Sequence, residues 1–252
     1  MLQVQNLSKS YRSGERTYPV LKNINLHIKK GEFVAVMGPS GSGKTTLLNC
    51  MSCFIPADSG SILLGGRNIA ALDEEALSQV RSEELGFVFQ DFMLLDGLTI
   101  GENICLPQII AAKPAAQMEA KAEKLCQLFG ISRIMDKYPA EVSGGEKQRA
   151  AVARALMNQP YIILADEPTG NLDSKSCTAV ISAFLQAREQ ADATIFMVTH
   201  DSYAASFCDR VIVLRDGQIH QEITRKGESR RQFMDLLLDT LRDLGGDDDD
   251  IA

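Results

Sequence analysis

Two segments of this chain have the residue types and spacing to hold phosphate, and they lie far apart. Gly38-Pro39-Ser40-Gly41-Ser42-Gly43-Lys44-Thr45 fits G-x-x-x-x-G-K-[ST]. Its glycines let the backbone turn tightly and bring N–H groups against phosphate oxygens. Lys44 is then set to pair with the β- and γ-phosphates and the Thr45 hydroxyl to ligate Mg²⁺, with Thr46 next on the same turn. Val142-Ser143-Gly144-Gly145-Glu146 is a Ser-Gly-Gly turn opening a helix-forming stretch. A helix start of that kind presents N–H groups to a phosphate. One nucleotide rarely needs two such cradles from one subunit. The economical arrangement holds each nucleotide between two subunits, one cradle from each, which makes dimerisation ATP-controlled.

Three strand ends supply further candidates. Tyr161-Ile162-Ile163-Leu164-Ala165-Asp166-Glu167 is an apolar strand closed by two acids. If the strand continues past Asp166, the two side chains point to opposite faces. Asp166 then holds the Mg²⁺ shell, and Glu167 orients or deprotonates the attacking water. A lone Asp-Glu pair would commonly be a solvated strand end; the independent phosphate loop tips the balance. Gln90 ends the strand Gly86 to Phe89, where its side-chain carbonyl can reach the metal or the water. His200 ends the strand Thr194 to Thr199 and can contact the γ-phosphate, although a single His is more often structural. Tyr11 can stack on adenine; a surface tyrosine at a strand end is the other reading.

The elements that must position these groups are legible in outline. Phe33 to Met37 is a short apolar β-prone run entering the glycine loop, and Lys44 to Cys53 reads as a helix. Strands are expected near Leu2 and Val4, at Val20 to Ile28, Ile62 to Ile69, Leu85 to Phe89, Tyr161 to Ala165 and Thr194 to Val198. A helix is expected from Ser174 to Gln190, and a helix-rich stretch from about Gly101 to Met157. Arg210 to Leu214 and Gln218 to Ile223 form a hairpin turning at Asp216-Gly217. Alternating β and α elements imply an α/β fold with a mainly parallel sheet and phosphate at the carboxyl ends of its strands. The helical middle is too long for a simple crossover and reads as an inserted subdomain. Ser229 to Leu244, with Phe233, Leu236, Leu237, Leu241 and Leu244, reads as an amphipathic helix packing on its own domain, stopped by Gly245-Gly246. Asp247 to Asp250 follow as a solvated acidic tail.

Composition narrows the class. With 252 residues, 45% hydrophobic and 23% charged, the chain suits one α/β domain with a subdomain. A net charge of −7 argues against a nucleic-acid partner. The start of the chain lacks a basic segment followed by an apolar core, and no stretch reaches bilayer-spanning length. Of six cysteines, Cys50 and Cys53 have C-x-x-C spacing but no second pair, so they read as buried packing on the helix after the loop.

Taken in order, these motifs resemble the ATPase subunit of an ATP-binding cassette (ABC) transporter, over roughly Leu2 to Ile223. Tyr11 stands as its aromatic, Gly38–Thr45 as Walker A, Gln90 as the Q-loop, Val142–Glu146 as the signature and Asp166 as the end of Walker B. Glu167 follows as catalytic base, Asn171-Leu172-Asp173 as the D-loop, and His200 as the switch. The resemblance implies a P-loop NTPase (RecA-like) core, an N-terminal antiparallel β subdomain and a helical subdomain at about 91–160. The ATPase domain then covers 1–225, and 226–252 is a C-terminal helix and tail. It also implies ATP and Mg²⁺ as ligands, with Val142, Ser143, Gly144, Gly145, Glu146 and Asp173 acting in trans in a homodimer. The signature departs from Leu-Ser-Gly-Gly-Gln at Val142 and Glu146, yet keeps the serine hydroxyl and glycine N–H groups.

Tyr11 to Val20, with Gly14-Glu15 ahead of Val20-Leu21-Lys22-Asn23, and Asp166 to Asp173 resemble the MacB/lipoprotein-release branch. Phe89 to Ile104 is most similar to the bacitracin and antimicrobial-peptide resistance ATPases. That likeness implies an integral-membrane permease with a large extracytoplasmic region, met near Phe92–Leu95 and Ile104–Pro107, and a place at the cytoplasmic face of the membrane. It leaves room for a two-component sensor kinase reached through the permease. Lipoprotein extraction, efflux and cell-division signalling are the rivals inside the class. A DNA-repair or chromosome-organising ATPase would insert long coiled coils between loop and signature; here roughly a hundred residues intervene, without sustained heptads. A translation-factor relative would carry two such cassettes.

Overall fold

The computed structural model describes residues 1–245. The chain opens with β1 (Leu2–Ser13) and β2 (Arg16–Ile28), a hairpin turning at Gly14-Glu15. Next come β3 (Phe33–Met37), α1 (Lys44–Met51), β4 (Ser59–Leu64), β5 (Arg67–Asn68), α2 (Glu74–Glu83) and β6 (Leu85–Val88). Three helices follow: α3 (Ile100–Ile110), α4 (Ala115–Leu128) and α5 (Gly144–Leu156). The remainder is β7 (Ile162–Asp166), α6 (Ser174–Ala191), β8 (Ile195–Val198), α7 (Ser202–Ala205), β9 (Arg210–Arg215), β10 (Gln218–Thr224) and α8 (Arg230–Gly245).

Two sheets result. One is antiparallel, in the order β2-β1-β4-β5; the other runs β10-β9-β3-β8-β7-β6, parallel except for β10 at its edge. The parallel strands are apolar in their interiors, with charged residues only at the ends of β7 and β9, because both of their faces are covered. Alternation assigns the faces. Phe33, Ala35 and Met37 of β3, with Ile163, Ala165, Ile195 and Met197, join the core beneath α5 and α6. Val34, Val36, Ile162, Leu164, Phe196 and Val198 join the second core, against the antiparallel sheet and α1. The sheet that carries the strand ends is therefore clamped on two sides.

Some elements differ from the sequence expectation. The helix expected over Lys44 to Cys53 stops at Met51, and Cys53 has a left-handed backbone (φ 57°). Cys53 is thus off the helix and only partly buried, while Cys50 is fully buried on it. Ile62 to Ile69 is not one strand: the Gly65-Gly66 turn splits it into β4 and β5, and Ile69 opens a short helical turn. Helix α2 had no expectation, since it is mostly polar and buries only Val80. Asp73 caps it by accepting from Ala76 N.

Helix α8 packs inward through Phe233 and Leu237, both fully buried, while Leu236, on the expected apolar stripe, is exposed. The Arg230 guanidinium lies 4.9 Å from the Tyr203 ring centroid and 4.6 Å from that of Phe207, joining α8 to the α7 segment that follows His200. The expected Asp247–Asp250 tail lies outside the described residues. Replacing Phe233 by Ala should cost about 3 kcal/mol and lower Tm by about 5–10 °C. It should also expose Lys226 to Arg231 to trypsin; unchanged melting and cleavage would show that α8 does not brace the domain.

Candidate functional site

The parallel register brings four loops to one sheet edge. Val198 pairs with Val36 on one side and with Asp166 on the other, and Ala165 pairs with Val88. The segments after β3, β8, β7 and β6 therefore emerge side by side, carrying Gly38, His200, Glu167 and Gln90.

The loop after β3 is built on backbone that only glycine tolerates. At Gly38 (φ 149°) a Cβ would meet the Leu214 carbonyl oxygen at 2.0 Å, and at Gly43 (φ 102°) the Leu21 side chain at 2.9 Å. Gly43 sits at the N-cap of α1 with no side-chain cap. The first N–H groups of a helix lack intrahelical partners, so an anion is the natural acceptor for them. Lys44 Nζ donates to the carbonyls of Gly38 (2.8 Å) and Pro39 (2.9 Å), spanning the loop. Burial holds its pKa below the ordinary lysine value, while Glu167 and Asp166 pull it back up. Pro39, Ser40, Gly41 and Thr45 are exposed; Ser42 is buried, and Thr46 partly so.

Alternation along a continuing strand does not place Asp166 and Glu167. The strand ends at Asp166, and Glu167 is left-handed (φ 45°). Pro168 bars the right-handed helical region from Glu167, and Gly170 N donates back to Glu167 O at 3.0 Å, closing a turn instead of extending the strand. Asp166 keeps its side chain in the Lys44 region. Burial raises its pKa, as does Glu167, against the opposing pull of Lys44. The Asp166 Oδ1 and Ser42 Oγ atoms are buried without a hydrogen-bond partner. Buried oxygens of that kind ordinarily have a partner, so this pocket is chemically unfinished. Glu167 Oε2 lies 2.9 Å from His200 Nδ1 and also accepts from His200 N at 3.3 Å.

Gln90 reaches the same edge. Its Nε2 donates to Asn171 Oδ1 at 3.0 Å, and Asn171 Nδ2 donates to Asp91 Oδ1 at 2.9 Å. Tyr11 is exposed on β1 opposite Tyr18, with Lys9 Nζ 5.6 Å from its ring centroid. Lys9 pairs with Leu21, the residue against Gly43, so the tyrosine stands on the strand pair that backs the loop.

The second cradle is elsewhere. Ser143 caps α5, receiving a hydrogen bond from Glu146 N (3.3 Å), while Ser143 N and Oγ donate to Glu146 Oε2 at 2.9 and 2.8 Å. Gly144 abuts Leu172 and Phe92, and Gly145 abuts Ser176. Asp173 caps α6 nearby, accepting from Lys175 N, Ser176 N and Ser176 Oγ. Among the described residues, no hydrogen bond or ion pair joins Val142–Glu146 to Gly38–Thr46.

Sequence reasoning did not anticipate Arg154. Its guanidinium donates to the carbonyls of Phe92 (2.7 Å) and Met93, two successive left-handed residues just after Gln90. The available signal was an arginine set in the buried run Ala150-Ala151-Val152-Ala153, which must find acceptors inside the fold.

Fold and loop together define a P-loop nucleoside triphosphatase. The family model described as ABC transporter matches residues 21–170. A bacitracin export ATP-binding protein, BceA of Halalkalibacterium halodurans, is 47% identical over 246 residues, covering 98% of this chain and 97% of the relative. The macrolide export ATP-binding/permease protein MacB of Escherichia coli O157:H7 is 43% identical over 219 residues, covering 87% of this chain and 34% of that longer relative. Among solved structures, the dimeric post-hydrolysis ATP-binding cassette MJ0796 with ADP and Pi is 39% identical. It has a TM-score of 0.81 and covers 90% of this chain and 100% of its own. The chain belongs to the ABC transporter family as an ATP-binding, ATP-hydrolysing subunit. Among the described residues no helix is long and apolar enough to cross a membrane.

Proposed function

We propose that two copies of this chain close on two ATP molecules, each nucleotide lying between the Gly38–Thr46 loop of one copy and the Ser143–Glu146 corner of the other. One observation carries the reading: the protomer has two helix starts suited to phosphate, and among the described residues no hydrogen bond or ion pair joins them. The dimeric, ADP- and Pi-bound state of MJ0796 supports it.

In this arrangement Lys44 leaves the Gly38 and Pro39 carbonyls for the β- and γ-phosphates. Glu167 takes the proton of the attacking water, and His200, already bonded to Glu167, orients it against the γ-phosphate. Gln90 touches the water or the metal, Tyr11 stacks on adenine, and Asp173 meets the other copy. The unpartnered Asp166 oxygen with the Thr45 hydroxyl is an all-oxygen donor set that fits Mg²⁺. Bound there, Mg²⁺ would neutralise phosphate charge. Hydrolysis removes the group that joins the halves, and the dimer reopens.

The work goes to an integral-membrane permease with a large extracytoplasmic region, with the ATPase held at the cytoplasmic face. An apolar groove of about 310 Å³, lined by Phe87, Phe89, Met93, Leu106, Pro107 and Ile110, suits a helix of that partner. The bacitracin export name of one relative supports antimicrobial-peptide resistance as the task, and the macrolide export name of the other supports drug export more broadly. A sensor kinase reached through the permease completes our reading.

Mixing two inactive variants tests the shared site. Lys44→Ala spoils one half of each pocket and Ser143→Arg the other. Half the randomly mixed dimers are heterodimers with one intact pocket of two, so up to roughly a quarter of wild-type ATPase activity should return. A mixture as inactive as its parts, in dimers shown by cross-linking to exchange, would overturn the proposal.

A further inference from the structure

Glu146 sets an electrostatic problem for a shared pocket. Its carboxylate stands at the start of α5, on the corner assigned to the other copy's triphosphate, where a negative charge repels phosphate. The hydrogen bond from Ser143 N, with further help from the Ser143 hydroxyl and Arg133, holds its pKa down to about 2. It is therefore ionised at any working pH.

The surroundings show how that charge is contained. Oε2 is folded back onto Ser143 N and Oγ, and Oε1 accepts from Arg133 Nη2 at 2.9 Å. Arg133 comes from the short helical turn Ser132–Ile134 and is otherwise largely exposed, so the fold has little structural need of its charge. Arg149, one turn along α5, also feels both Glu146 and Arg133. Counted by themselves, these two guanidinium groups and one carboxylate sum to +1.

We propose that Arg133 is a positioning residue for the phosphate corner: it neutralises Glu146 and keeps that carboxylate turned onto Ser143. The corner then offers a hydroxyl, helix N–H groups and net positive charge to the triphosphate of the other copy. This rests on the shared-pocket reading and adds a determinant of nucleotide affinity to it. A glutamine at 146 would need no such partner; a glutamate does.

Steady-state ATPase kinetics of the full chain test it, because four forms set the cluster charge in steps. Wild type carries +1, Arg133→Ala 0, Glu146→Gln +2, and the double variant +1 again. Gln preserves the capping box, so the helix start survives in every form. KM for ATP should rise about five-fold in Arg133→Ala with kcat within about two-fold, and return to the wild-type value in the double variant. Arg133→Lys should stay close to wild type. The Arg133→Ala effect should shrink as salt rises from ~50 to ~500 mM. An unmoved KM in Arg133→Ala, or a raised KM that persists in the double variant, would overturn the proposal. Ser143→Arg, run in parallel, separates the two levels. If it is dead while Arg133→Ala is unchanged, only the role of Arg133 falls; if it is fully active, the shared pocket falls and takes this proposal with it.

Discussion

Glu167→Gln should lower kcat by about 10²–10⁴-fold while ATP binds at least as tightly as to wild type. The substitution keeps the shape of the side chain, and its amide oxygen can still accept from His200, which now meets Glu167 Oε2 at 2.9 Å. What is lost is the basic oxygen that takes the proton of the attacking water. The change also removes a negative charge that acts on Lys44, so affinity for a polyanion should rise slightly. With binding intact and hydrolysis stopped, the variant should accumulate as an ATP-dependent dimer. Phosphate release and size-exclusion chromatography with and without ATP read both effects. Turnover near the wild-type rate would show that water activation does not pass through Glu167.

Lys44→Ala should weaken ATP binding by about 100-fold, the worth of a charge-assisted hydrogen bond of about 3 kcal/mol. The loss has two sources. The cation that would meet the phosphates is gone, and Glu167 and Asp166 lose the charge that partly compensates them. The second source predicts coupling: Glu167→Gln should raise ATP affinity more in the Lys44→Ala background than in the wild-type chain. Residues that share a field do not add. Calorimetric titration of the four forms decides it, and strictly additive effects would place Glu167 out of electrostatic reach of Lys44.

The chemistry was more legible in the sequence than the architecture that delivers it. The phosphate loop reads locally, because strand, glycines, lysine and helix follow one another directly along the chain from Phe33 to Met51. The order of the large sheet does not, because β3 pairs with β8 and β9, which arrive from the far end of the chain. Asp166 and Glu167 were identifiable as a pair, but the left-handed backbone of Glu167 depends on Pro168 and on a turn closed at Gly170, details that an alternation rule overlooks. Ser143 and Glu146 carry a capping-box spacing, yet the partnership with Arg133 needs the helical turn at Ser132–Ile134 to swing it alongside. The two buried oxygens of Ser42 and Asp166 become conspicuous only when packing closes around them.

Arg154 has a mechanical consequence. It fastens the carbonyls of Phe92 and Met93, two successive left-handed residues, to helix α5. Gln90 and the groove-lining Phe89 and Met93 belong to the same short stretch of chain, so the sheet edge and the groove wall share one anchor.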